Sequence, residues 1–194
     1  YFFGFDGTNW PELQRVLPTD QDARDDEFGS AVALDGETAV VGAPQDDLAG
    51  KDGGAAYVFV HQAGAWVLQQ KLVGADTAAG DAFGSAVSVS GDTLVIGAKL
   101  DTTAAGYSAG SAYVFTRNGG TWSQQQKLTA AVAAANDRFG TAVAVRGDTV
   151  VVGAAGDDTP AGIDAGSAYV FTRSDSTWTQ WQQLVAGDAV VSDA

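Results

Sequence analysis

Two short stretches gather the side chains best suited to hold a cation. In PQDDLAGKD these are Asp46, Asp47 and Asp52, and in AGDDTPAGID they are Asp157, Asp158 and Asp164. Calcium takes six or more oxygens from carboxylates and loop carbonyls, and either stretch could supply several. The competing reading is that Asp marks turns, because its carboxylate bonds the local backbone. The corresponding stretch between them, AKLDTTAAG, lacks the Asp pair, which weighs against a metal site repeated along the chain. A third candidate is Arg146-Gly147-Asp148, a tripeptide that some cell-surface receptors read. The single His61 has no Cys and no metal-ligand spacing around it, and reads as a solvated surface residue. Catalysis finds little support. Paired carboxylates hydrolyse substrates only where a pocket shifts one of their pKa values, and flexible acidic loops offer no such pocket.

The charge sets further limits. The chain has 194 residues, with 24 acidic against 10 basic side chains and a net charge of −14. Nucleic acid and anionic lipid both need clustered Lys and Arg, so neither is an expected partner. No apolar run approaches the ~18 residues of a membrane helix, so membrane insertion is not expected. All acidic residues except Glu12, Glu27 and Glu37 are Asp, which places the charge in loops rather than helices. The absence of Cys excludes disulfides and suits an exported protein.

The elements that position these residues repeat. Tyr57, Tyr113 and Tyr169 are 56 residues apart, and Tyr1 lies 56 before Tyr57. A Trp follows nine residues after each, at Trp10, Trp66, Trp122 and Trp178, and Phe-Gly pairs begin at Phe28, Phe83 and Phe139. Each repeat holds four β-branched or aromatic runs bounded by Gly, Asp, Asn or Ser, which read as strands. In the first repeat they are FGSAVAL (Phe28–Leu34), TAVVGA, AYVFV and WVLQQKL. Strict alternation puts Val32 and Leu34 opposite Ala31 and Ala33, and puts Trp66, Leu68 and Leu72 opposite Val67, Gln69 and Lys71. The first two strands are apolar on both faces, whereas the fourth carries Gln and Lys. Burial that falls from first strand to last predicts a β-propeller of four-stranded antiparallel blades, with one blade's Val row against its neighbour's Ala row. A parallel β-helix, the competing repeat fold, has shorter periods and no such gradient. Gly36, Gly91 and Gly147 fall in the tight turn between the first two strands, so Arg146-Gly147-Asp148 is largely explained by turn chemistry.

FG, then VGAP, then GSAYVFTRxxxTWxQxQKL resembles the FG-GAP repeat, and more closely its bacterial form. The resemblance covers essentially the whole chain. It implies an all-β fold similar to the N-terminal propeller of the integrin α chain, which is seven-bladed, working in adhesion or recognition at the cell surface. The integrin calcium loop, Asp-x-Asp-x-Asp-Gly, has no counterpart, since its slot holds only LDGET, VSGDT or VRGDT.

The blades span about 28–72, 83–128 and 139–184, with 1–17 forming a half blade. Closed propellers need about four blades or more, so the expectation is part of a larger array. Neighbouring blades, or other copies of the chain, would cover its ends. Loops after the second and fourth strands share one rim and hold Asp20, Asp22, Asp25, Asp26, Asp46, Asp47, Asp52, Asp76, Asp81, Asp101, Asp137, Asp157, Asp158 and Asp164, so that rim is expected to be acidic. The functional expectation is a non-enzymatic, extracellular binding or adhesion module with a protein or glycan ligand. The alternatives are a structural spacer and a lectin-like propeller using the Trp series, with Trp181, outside the series, as the better candidate for an exposed aromatic.

Overall fold

A computed structural model describes residues 1–18, 25–160 and 162–187; Asp20 and Asp22 lie outside them. The described residues form β-sheet and no helix. A two-stranded half blade, β1 (Phe2–Phe3) and β2 (Glu12–Gln14), comes first. Blade 1 is β3 (Ala31–Asp35), β4 (Thr38–Ala43), β5 (Ala55–Gln62) and β6 (Ala65–Leu72). Blade 2 is β7 (Phe83–Ser90), β8 (Thr93–Ala98), β9 (Ser111–Asn118) and β10 (Thr121–Leu128). Blade 3 is β11 (Phe139–Arg146), β12 (Thr149–Ala154), β13 (Ser167–Ser174) and β14 (Thr177–Leu184). In each blade the strands pair antiparallel in chain order. Two-residue loops such as Gly91-Asp92 join the first two strands, and Gly91 takes the positive φ of 57° that such a hairpin requires.

The core lies between blades. Val87, Val89, Leu94, Ile96, Tyr113, Phe115 and Trp122 of blade 2 pack on Val40, Val58, Leu72, Ala31 and Ala33 of blade 1. Blade 3 repeats this against the other face of blade 2. A Val row therefore sits on the preceding blade's Ala row. Backbones meet here too. A Cβ at Gly42 would overlap the carbonyl oxygen of Gly84, and one at Gly97 that of Gly140, so Phe-Gly of one blade closes on the Gly-Ala of the last. Gly54 and Gly110 add parallel bridges to Phe83 and Phe139.

Two expectations need correction. The first strand of blade 1 starts at Ala31 rather than Phe28, and Val32 and Leu34 are exposed rather than buried. Among the described residues the half blade has only its two outer strands, so no strand lies beneath Val32 and Leu34 or bridges Phe28. In the fourth strands, a bulge at Gln69, Gln125 and Trp181 breaks the alternation. It turns Lys71 onto the face of Tyr57 and Trp66, and Leu72 onto the opposite one.

Candidate binding face and the carboxylates beneath it

The bulge has a chemical consequence. It brings Lys71 Nζ to 2.6 Å from Oδ2 of Asp46, which also accepts the Tyr57 hydroxyl at 2.7 Å. The other oxygen, Oδ1, accepts the Leu48 amide at 3.0 Å and tightens the loop after β4. Blade 2 rebuilds the group: Asp101 Oδ2 is 2.7 Å from Lys127 Nζ and accepts the Ser111 hydroxyl at 2.6 Å. Lys127 also reaches Asp76 at 2.6 Å, and Asp76 accepts the Tyr113 hydroxyl at 2.9 Å. In blade 3 Gln183 stands in place of Lys, donating to Asp157 at 2.9 Å, while Tyr169 donates at 2.6 Å and the Ser167 hydroxyl completes the set. A buried carboxylate is tolerable only when a cation or several hydrogen bonds satisfy it: Asp46 and Asp101 have a lysine, and Asp157 has three neutral donors. Asp101, not an Asp pair, is therefore what the second repeat keeps.

The electrostatics follow from burial. Burial raises the Tyr113 hydroxyl to about 12 and pushes Tyr169 higher still. Burial works against the Lys127 ammonium, but its bonds to Asp101 and Asp76 outweigh this and hold it above the usual lysine range. For Asp76, too, burial opposes ionisation and is overcome by Lys127 and Tyr113, leaving its carboxyl below the usual range. Asp81 and Asp137, buried in the linkers between blades, go the other way. Burial raises both, and the neighbouring carboxylates Asp101 and Asp157 respectively add to it.

The six calcium candidates divide. Asp46 and Asp157 are buried and committed to the groups just described. Asp47 and Asp158 are exposed, and their Oδ1 atoms accept the amides of Asp52 (2.8 Å) and Asp164 (2.9 Å), so each folds its own loop. Among the described residues, no three of His, Cys, Asp and Glu are placed to hold a metal ion.

These loops are held, not floppy. Gly80 donates to Lys51, Ala82 to Asp52, Asn136 to Tyr107 and Arg138 to Ser108, so the loops after β4 and β8 are stitched to the linkers entering the next blade; the loop after β12 is held instead by Gly156 donating to Asp137 and by the mutual amide bonds of Thr159 and Gly162. That corrects the expectation of flexible acidic loops. Exposed apolar side chains stand on this rim, Leu48, Tyr107 and Ile163 in the loops after second strands and Val132 in the linker after β10. The sequence reading missed them because it followed the acidic residues; Tyr107 and Ile163, 56 residues apart, carried the signal.

On the opposite rim, Asp148 of the Arg-Gly-Asp turn is held by Arg173 at 2.6 Å, as Asp92 is by Arg117 at 2.7 Å. His61 occupies the equivalent position in blade 1, with Nδ1 3.8 Å from Glu37. It is the local counterpart of two arginines, which the 56-residue spacing of positions 61, 117 and 173 encodes. Two members of the Trp series are structural, while Trp66 is half-buried and Trp10 exposed. Trp122 and Trp178 are buried, their indole nitrogens donating to Gln69 (2.9 Å) and Gln125 (2.8 Å) of the preceding blade. The main chain of each is clasped by Gln70 and Gln126, and Trp66 is clasped by Gln14. Trp181 is 71% exposed, as its place outside the series predicts.

Comparison with known proteins agrees with this architecture. Among solved structures, the chain is similar to Sqt1 of Saccharomyces cerevisiae, with a TM-score of 0.54 at 12% identity. The match covers 86% of this chain and 38% of that one, and at this identity the likeness concerns the fold alone. No curated protein matches the chain. The FG-GAP repeat model matches three consecutive times, over residues 10–59, 66–115 and 122–171. These matches fall in register with the Tyr, Trp and Phe-Gly positions around which the blades are built, and the chain belongs to the FG-GAP repeat family.

Proposed function

We propose that this chain is a non-enzymatic binding module of an extracellular, cell-surface protein, of the kind bacteria export for adhesion. FG-GAP repeats occur typically in extracellular proteins and are typically non-catalytic. The observation that carries the reading is the row of exposed apolar tips, Leu48, Tyr107 and Ile163, on loops locked by backbone hydrogen bonds. A preordered surface loses little conformational entropy on binding, and an aromatic with a polar end is favoured at interfaces. The ligand class is a protein surface, with the acidic rim favouring a basic partner. Calcium is no part of this reading, because Asp46 and Asp157 already have their partners.

The test is adhesion of chain-coated beads to cultured epithelial cells and to immobilised extracellular matrix. The wild type binds, and the triple variant Leu48→Ser, Tyr107→Ser, Ile163→Ser loses at least tenfold. Equal adhesion by both, or none by either, defeats the reading. A purely structural spacer binds neither surface, and a lectin-like role shows as signal on a glycan array.

A further inference from the structure

Where blades 2 and 3 meet, the acidic rim loses its charge. From Thr102 to Thr116, and again from Leu128 to Asn136, there is no charged side chain, in a protein of net charge −14. The loop after β8 and the linker after β10 bring these stretches together. An added Cβ at Gly106 would stand 2.8 Å from that of Ala135, and the Asn136 amide donates to the Tyr107 carbonyl at 2.9 Å. On the joint surface Tyr107 and Val132 are 69% and 73% exposed, and Ala104, Ala105, Ala134 and Ala135 are exposed with them. Resting on the binding-module reading above, we propose that this uncharged island docks a cationic amphipathic segment of another protein, apolar at its centre and basic at its ends.

The other repeats show that the fold does not require the island. Val132 lies 56 residues after Asp76, the exposed carboxylate that pairs with Lys127 in the linker before blade 2, and Gln183 lies 56 after Lys127. An ion pair at one junction is therefore Val and Gln at the next. The Tyr113 hydroxyl donates to Asp76, whereas that of Tyr169 makes do with the Val132 carbonyl at 3.2 Å. In the loop after β8, Thr102 and Ser108 stand 56 residues before Asp158 and Asp164. Loops with Asp at these places close equally well, so turn formation does not account for the neutral set.

The surroundings select the occupant. Asp47 in the loop after β4, and Asp158 and Asp164 in the loop after β12, are exposed on the same rim. An apolar centre inside a polar border concentrates binding energy at the centre, and the charge of the border chooses the partner. Here that charge is negative, so Lys and Arg fit the border. A second copy of the chain would set acid against acid, as would an anionic lipid surface. The island is also preordered: the Thr103 and Gly106 amides bond each other's carbonyls, and the Ala131 amide donates to Gln180 at 2.9 Å. Little conformational entropy is lost when such a surface is covered.

The test pans random dodecapeptides on phage against the chain, then measures the affinity of the most enriched peptide by fluorescence anisotropy. That peptide is expected to carry aromatic or aliphatic residues flanked by Lys or Arg, and to bind Val132→Asp at least tenfold more weakly than the wild type. The variant keeps the fold, because Val132 is exposed and Asp76 holds the equivalent place. It also makes the rim more acidic, so binding through charge alone would tighten. The proposal is overturned if no peptide is enriched, if the enriched peptides lack basic residues, or if Val132→Asp binds as tightly as the wild type or more so. Self-association of the chain that Val132→Asp abolishes also overturns it, by assigning the island to a second copy. Bead adhesion separates this proposal from the reading beneath it. If the triple variant loses adhesion while Val132→Asp keeps it, binding through the rim stands and docking at the island falls.

Discussion

Val87 and Val89 in β7, and Val32 and Leu34 in β3, hold the same register in near-identical strands, yet the first pair is 9% exposed and the second 71% and 64%. The difference lies in the neighbour. β7 has a complete blade beneath it; β3 has only the outer two strands of one. Glycines report the same contrast. Gly42 and Gly97 each face a backbone oxygen of the following blade, while at Gly153 the nearest atom to an added Cβ is Ala142 Cβ, at 3.5 Å. A four-stranded sheet of this kind does not carry its own core; the core is shared between adjacent sheets, as in other stacked repeats.

The largest expected effect sharpens the contrast between blades 2 and 3. Lys127→Met strands Asp101 and Asp76 without their cation, and a broken buried pair costs about 3–5 kcal/mol. Lys127→Gln should cost about half as much, since Gln183 serves Asp157 in blade 3. Urea unfolding monitored by circular dichroism measures both. Next comes Gly97→Ala, which forces a methyl onto the carbonyl of Gly140 and should cost about 3 kcal/mol, against under ~0.5 kcal/mol for Gly153→Ala. Equal costs in the same titration would break the comparison. Val89→Ala should cost about 1.5 kcal/mol and Leu34→Ala under ~0.5 kcal/mol, because only the first removes buried methyl groups.

The smallest effect is one of pH. The folded pKa values of Asp81 and Asp137 are raised, so the stability each contributes is full below the unfolded carboxyl value and lost as pH rises through the folded one. Asp137→Asn should therefore gain stability over the wild type at about pH 7 and not at about pH 3. Asp76, with its pKa lowered, has the opposite sign: its contribution is present above the unfolded value and lost as pH falls through the folded one. Asp76→Asn should lose stability at about pH 7 and converge with the wild type in acid. Midpoints of thermal unfolding across this range check both signs.

Much of this was legible in the residues. The 56-residue period of Tyr and Trp, the β-branched runs and the turn glycines specify four-stranded blades, because local patterning and turn chemistry agree there. The half blade followed from the same ruler. What stayed hidden depended on one inserted residue per fourth strand. A bulge leaves no mark in composition, so strict alternation set Lys71 on the wrong face and the Asp46–Tyr57–Lys71 group went unseen. Burial of Asp46, Asp101 and Asp157 was hidden for the same reason, since a loop aspartate with a partner far along the chain looks like one solvated by water. The exposure of Val32 was not local information at all.

The sharing of cores between blades is tested most directly by single thiols at equivalent positions. Val32→Cys and Val87→Cys, each the only cysteine in the chain, are alkylated in dilute native protein. Val32→Cys should react at the rate of a free thiol, and Val87→Cys at least a hundredfold more slowly. Comparable rates at the two positions would contradict it.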